Sequence, residues 1–117
     1  MIERGQLLEE KAAHFLKDQG LRIYMRNFRC KLGELDIIAL DGDTVVFIEV
    51  RYRASTAFGG PLASITASKQ QKLIRTAQYF LQGKRVFHNA SCRFDVIAMS
   101  GDVSQPTLEW IKNAIYL

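Results

Sequence analysis

The feature that most constrains this chain is the stretch GELDIIALDGDTVVFIEVRYR, residues 33–53. Two apolar, β-branched runs, 34–40 and 44–53, flank Asp41-Gly42-Asp43, which predicts a β-hairpin. A two-residue turn is either Asp41–Gly42 or Gly42–Asp43; a three-residue loop, the alternative, breaks the register that follows from it. In either register the side-chain period of two places odd positions of the first strand with even positions of the second. One face then carries Leu35, Ile37, Ala39, Val46, Ile48, Val50 and Tyr52, and belongs against a helix. The other face is divided along its length. Ile38, Leu40, Val45 and Phe47 lie near the turn; Glu34, Asp36, Glu49, Arg51 and Arg53 lie away from it.

With the turn at Gly42–Asp43, Asp36 sits directly opposite Glu49. Like charges directly opposed in a sheet are destabilising, so the pair calls for cations, either arginines or a bound metal. Two readings follow. As structure, Asp36 and Glu49 form a partly exposed ion-pair cluster with Arg51 and Arg53. As a site, two hard carboxylates on adjacent strands, with waters and a phosphate completing the shell, are the usual means of holding Mg²⁺. An ion held there polarises a phosphodiester and activates water.

The rest of the chain supplies the cover for this hairpin. Residues 3–19 read as a helix, with Leu8, Ala12, Phe15 and Leu16 on one stripe and Gly20 as its stop. Residues 21–27 are a strand candidate, followed by a basic loop, FRCKLG. Residues 54–61 are small and Gly-rich and read as a loop. A second helix is expected over 68–82, buried through Leu73, Ile74, Ala77, Phe80 and Leu81 and capped by Thr66 or Ser68. Residues 92–100 form another strand, and TLEWIKNAIYL reads as a short strand running into a helical turn. The order α-β-β-β-α-β predicts an α/β fold, a mixed sheet flanked by helices, in a single domain over 1–117.

Composition removes several function classes. The charged opening MIERGQLLEEKAAHFL lacks the apolar core and cleavage site of an export signal, and no apolar run approaches membrane-spanning length. A cytoplasmic location without membrane contact is therefore expected. Cys30 and Cys92 form no framework and read as free thiols; no Cys/His spacing suits zinc. No phosphate-binding glycine loop or nucleophile–base set points to a small-molecule enzyme. The net charge of +4 permits a polyanionic partner without establishing one.

The residues Asp36…Glu49-Val50-Arg51 resemble the D…(D/E)-x-K signature of the PD-(D/E)XK, restriction-endonuclease-like superfamily, whose core shares the α-β-β-β-α-β order. More closely, the chain resembles the YraN-like (UPF0102) family of small bacterial proteins, which is similar to archaeal Holliday-junction resolvases. The markers are Gly5 and Glu9 in the first helix, Arg26-Asn27, GELDIIA (33–39), FIEVRYR (47–53), FGGP (58–61), SKQQKL (68–73) and RFDVIA (93–98). The resemblance implies a Mg²⁺- or Mn²⁺-dependent DNA endonuclease acting on branched or junction DNA as a homodimer. It implies Asp36 and Glu49 as metal ligands with the Val50 carbonyl as a third, and a catalytic role for Glu9 beside them. Glu9 also has a plainer reading, an acid favouring the dipole of an early helical turn. The competing class is a non-catalytic nucleic-acid-binding or adaptor module that keeps the fold.

Arg51 stands where the superfamily has lysine. Arginine effectively never loses its proton, so Arg51 is no water-activating base; a phosphate clamp or transition-state stabiliser is the role left to it. Lys69 and Lys72 offer lysine from the second helix, or simply a solvated basic face. Arg26, Arg29, Lys31, Arg53, Lys69, Gln70, Lys72 and Arg75 are the expected nucleic-acid contacts. Contacts of this kind give affinity and salt dependence but little sequence reading. Asp95 reads as a structural partner of Arg93.

Overall fold

The computed structural model describes residues 3–55 and 61–116. The order of elements is α1 (Arg4–Asp18), β1 (Arg22–Cys30), β2 (Gly33–Asp41), β3 (Thr44–Arg53), α2 (Ala67–Gln82), β4 (Cys92–Ser100) and β5 (Thr107–Ile115). The strands form one sheet in the order β1-β2-β3-β4-β5. Neighbours are antiparallel except β3 and β4, which run parallel and are joined through α2. This is the α/β restriction-endonuclease-like core expected from the sequence, with a fifth strand added at its edge. The FGGP marker falls mostly outside the described residues.

Each helix covers one face. Leu8, Ala12, Ala13 and Leu16 of α1 bury Ile37, Ala39, Val46, Ile48, Ile97 and Met99. Leu73, Ala77 and Phe80 of α2 bury Ile38, Val45, Phe47, Phe94 and Val96. α1 stops as the sequence predicts. Gly20 has φ 95, its N–H bonds the Lys17 carbonyl, and the Leu21 N–H bonds the Leu16 carbonyl, both at 3.0 Å. That is the paired closure of a Schellman motif, with Leu16 and Leu21 both in the α1 core. α2 starts at Thr66, whose hydroxyl accepts the Lys69 N–H at 3.2 Å.

Three local expectations need correction. FRCKLG is not a loop: β1 continues through Cys30, because Phe28 pairs with Leu35 and packs on Phe80 at 5.2 Å. The chain end is not a strand with a helical turn but the full strand β5. The signal missed was Asp95, which is wholly buried and accepts from Arg93 Nε (3.1 Å), Trp110 Nε1 (2.9 Å) and the Asn113 N–H (3.0 Å). Those bonds fix β5 against β4, with Asn113 at φ 53 close to the register shift at Phe94/Val96. The structural reading of Asp95 thus holds, with more partners than Arg93 alone. Leu35, finally, belongs to the α2 core rather than the α1 face, for a reason that also builds the site.

Among the described residues no helix is long and apolar enough to cross a membrane. Cys30 and Cys92 are free thiols.

Candidate functional site

The site forms where β2 leaves its neighbours. The hairpin turn is Gly42–Asp43, since Asp41 pairs with Thr44, and the ladder runs to Ile37 and Ile48 and stops. A two-residue turn makes 41/44, 39/46 and 37/48 the pairs that exchange both backbone hydrogen bonds. Val50 is the next β3 residue whose backbone faces β2. Its N–H is taken by a side chain, Asp36 Oδ2, at 2.9 Å. On the other flank, the β1–β2 ladder passes over Asn27 and Asp36, and Asn27 adopts φ 55. Asp36 therefore lies in a gap of both ladders. The break turns Leu35 to the α2 side of the sheet and leaves the Asp36 side chain bridging toward β3.

Glu49 reaches the same place from the central strand. β3 lies between β2 and β4, with Glu49 against Val96 and Arg51 against Ala98, so Glu49 is only 7% exposed. The Asp36 and Glu49 carboxyl groups lie close enough for each to govern the ionisation of the other. The pKa of Glu49 is pushed up to about 9, first by burial and then by the Asp36 charge, so the buried pair holds a proton between its two carboxyl groups at neutral pH. Arg51 acts in the opposite sense: its Nη2 contacts Glu49 Oε2 at 2.5 Å. Burial raises Asp36 as well, against lowering by the Glu49 and Val50 N–H hydrogen bonds.

A cavity of about 500 Å³ opens over this pair, between the first turns of α1 and of α2. Asp36, Glu49, Val50 and Arg51 form its floor; Glu9 of α1 and Lys69 and Lys72 of α2 form its sides. Burial, then the Asp36 charge, raises the pKa of Glu9. Arg26 Nη2 stands 3.7 Å from Glu9 Oε1, and that buried oxygen has no hydrogen-bond partner. Arg26 and the Asn27 side chain act against that rise. Among the described residues no group of three or more His, Cys, Asp or Glu side chains is arranged as a complete metal-ligand set.

The structure thus brings Glu9, Asp36, Glu49, Val50, Arg51, Lys69 and Lys72 to one cavity, with Arg26 behind Glu9. Arg29, Lys31, Arg53, Gln70 and Arg75 do not line it. Arg29 Nε pairs with Glu34 at 2.9 Å, Gln70 Nε2 donates to the Ile65 carbonyl at 3.3 Å, and Arg75 Nη2 donates to Gln71 at 3.5 Å. Lys31 and Arg53 are exposed.

Sequence reasoning missed Arg4 and the role of Asn27. Arg4 lines the cavity with its guanidinium 5.2 Å from the centre of the Tyr52 ring, and Tyr52 donates to the Gly101 carbonyl at 2.5 Å. Neither spacing nor periodicity marks Arg4, because its partner is set by how α1 crosses the sheet. Asn27 did carry a signal. Asparagine is the residue type most tolerant of positive φ after glycine, and here it stands inside a strand pattern.

The comparison with known proteins agrees with the family markers. The model described as "Uncharacterised protein family UPF0102" matches residues 8–99. The chain is similar to a UPF0102 protein of Pseudomonas fluorescens, 51% identical over 113 residues, covering 97% of this chain and 92% of the relative. A UPF0102 protein of Colwellia psychrerythraea is 48% identical over 113 residues, covering 96% and 88%. One of Stutzerimonas stutzeri is 51% identical over 110 residues, covering 94% and 92%. With most of its length matched by the family model and by relatives at about half identity, the chain belongs to the UPF0102 family.

Proposed function

We infer that the chain is a Mg²⁺- or Mn²⁺-dependent DNA endonuclease, related to the Holliday-junction resolvases within the PD-(D/E)XK superfamily, that hydrolyses phosphodiester bonds in structured DNA. One observation carries this reading. Asp36 and Glu49, on neighbouring strands, meet on the floor of an open cavity, Asp36 held by the Val50 N–H at 2.9 Å and Glu49 only 7% exposed.

This donor set fits a hard divalent cation. Two carboxylates that cannot both ionise alone can do so around such an ion, which takes the place of the proton. Asp36 and Glu49 would hold it. The Val50 carbonyl points to the same side of β3 as its N–H, toward Asp36, and supplies a third oxygen. Mg²⁺ is commonly held by one or two carboxylates, with water and substrate phosphate completing its shell, so the lack of a third acidic ligand is no obstacle. When bound, such an ion supplies positive charge against a phosphoryl oxygen and makes water more acidic.

The chain's own residues do the rest. Glu9 lines the cavity beside the carboxylate pair, and its carboxylate is the group placed to accept a proton from water there. Arg26 offsets its charge. Arg51 holds Glu49 in place and carries a permanent charge beside the phosphate position. Lys69 and Lys72 add positive charge to the α2 side of the cavity.

The same Arg51–Glu49 pair favours a second reading, a DNA-binding or adaptor module in which the cluster is structural. Cleavage of supercoiled plasmid and four-way-junction DNA, with Mn²⁺ and with EDTA, separates the two. Mn²⁺-dependent nicking is expected from the wild type and from Arg51→Lys, which keeps the charge and restores the superfamily lysine. Arg51→Ala should be slower by about a hundredfold, as for loss of one transition-state donor. If the wild type and Arg51→Lys are both inert on every substrate while binding DNA well, the binding module is the correct reading.

A further inference from the structure

Four cations line the cavity among the described residues, and three of them are already engaged. Arg51 contacts Glu49. Arg4 lies over the Tyr52 ring. Lys69 Nζ donates to the Ser64 carbonyl at 3.1 Å. The fourth, Lys72, has no hydrogen bond, ion pair or ring contact from its ammonium group to any described residue.

The Lys72 side chain is nonetheless placed. Its stem runs over Gly33, the first residue of β2, so closely that a Cβ there would lie 3.2 Å from Lys72 Cε and 3.5 Å from Lys72 Cγ. The same Cβ would meet Thr76 Oγ1 at 2.8 Å. Thr76 is fully buried, and its hydroxyl donates to the Lys72 carbonyl at 2.8 Å. The bare Cα of Gly33, at φ 154, thus forms a slot between β2 and α2 that only a glycine leaves open. The stem of Lys72 fills it, and its residue lines the cavity. An aliphatic stem packed on protein with a charged head directed to water is the ordinary behaviour of lysine. Here the stem is held at a glycine three residues before Asp36.

We propose that Lys72 is the residue of this chain that binds a DNA backbone phosphate at the mouth of the carboxylate site, and that Gly33 is its positioning residue. The proposal rests on the DNA-binding part of the function inferred above, not on cleavage. An ammonium group with no partner among the described residues can pair with a phosphate without first breaking a contact to any of them. Lys69 and Arg51 would each have to give one up.

Salt dependence of DNA binding tests this on the full chain. Each phosphate neutralised on duplex DNA contributes about 0.9 to the slope of log K against log salt concentration. Fluorescence anisotropy with a labelled duplex and a labelled four-way junction, in EDTA, should show the slope of Lys72→Gln reduced by about one relative to wild type. Lys72→Arg should restore it. Gly33→Ala, checked for folding by thermal midpoint, should reduce the slope as Lys72→Gln does. Combined with Lys72→Gln it should reduce it no further, an outcome that a merely structural role for Gly33 does not produce.

An unchanged slope in Lys72→Gln overturns the proposal, as does wild-type protein that binds neither DNA. A reduced slope in a chain that cleaves nothing with any metal retains Lys72 and removes the nuclease reading. Cleavage by wild type with an unchanged slope in Lys72→Gln does the reverse.

Discussion

Replacing Asp36 with asparagine is expected to lower metal-dependent DNA cleavage by at least about a thousandfold, some 4 kcal/mol of transition-state stabilisation. The fold should survive. Asparagine keeps a side-chain oxygen that can accept the Val50 N–H, the bond that closes the gap in the β2–β3 ladder at 2.9 Å. What is lost is the negative charge that, with Glu49, attracts a divalent cation. Binding to DNA without metal should hold or tighten, because an ionised carboxylate beside phosphates repels them. Plasmid nicking with Mn²⁺ reads the first effect, and anisotropy in EDTA reads the second. An Asp36→Asn protein that cleaves at the wild-type rate contradicts the assignment.

The metal-free protein should also lose stability as the solution becomes more alkaline. In the folded chain Glu49 titrates at about 9, against 4.5 for an ordinary glutamate. Between those values the folded state holds one proton more than the unfolded chain, so the free energy of unfolding falls as pH rises. The full stabilisation is present below about pH 4.5 and is lost on passing through about pH 9. One extra bound proton corresponds to about 1.4 kcal/mol per pH unit. Asp36 and Glu9 are shifted in the same direction. Urea unfolding in EDTA at three pH values across this window should give a descending series. Asp36→Asn should make it shallower without flattening it, since burial, the largest cause of the Glu49 shift, remains. Stability that is level or rises across the window would show that the two carboxyl groups are not held together as described.

Much of this architecture was legible in the sequence because it is periodic. The stripes of α1 and α2, the two-residue turn and the apolar faces of the hairpin follow from side-chain period alone. Gly20 ends α1 because only a residue free to take φ 95 closes that helix economically. What resisted reading was set by contacts distant in sequence. The alternation of Thr107–Trp110 is lost after Trp110, and the strand continues to Ile115 because Trp110 and the Asn113 backbone bond the buried Asp95, 15 and 18 residues away.

The site divides in the same way. Asp36 and Glu49 were readable as a pair from hairpin register. The gap that makes the pair useful was not, because it depends on Asn27 and on a side chain replacing a backbone acceptor for Val50. The basic residues fared worst. Charge and nearness in sequence gave Arg29, Lys31, Arg53 and Arg75 no more and no less claim than Lys72. Only packing separates a lysine seated over Gly33 from an arginine paired with Glu34.

The most direct test of the central claim is whether the carboxylate pair takes a divalent ion in place of its proton. Isothermal titration of metal-free wild-type protein with Mn²⁺ at pH 7.5, in two buffers of different ionisation enthalpy, measures both the binding and the protons released. The account predicts saturable binding near one ion per chain with release of about one proton, lost in Asp36→Asn and in Glu49→Gln. Binding that persists unchanged in both variants, or no binding by the wild type at millimolar Mn²⁺ (about 4 kcal/mol of binding free energy), would contradict it.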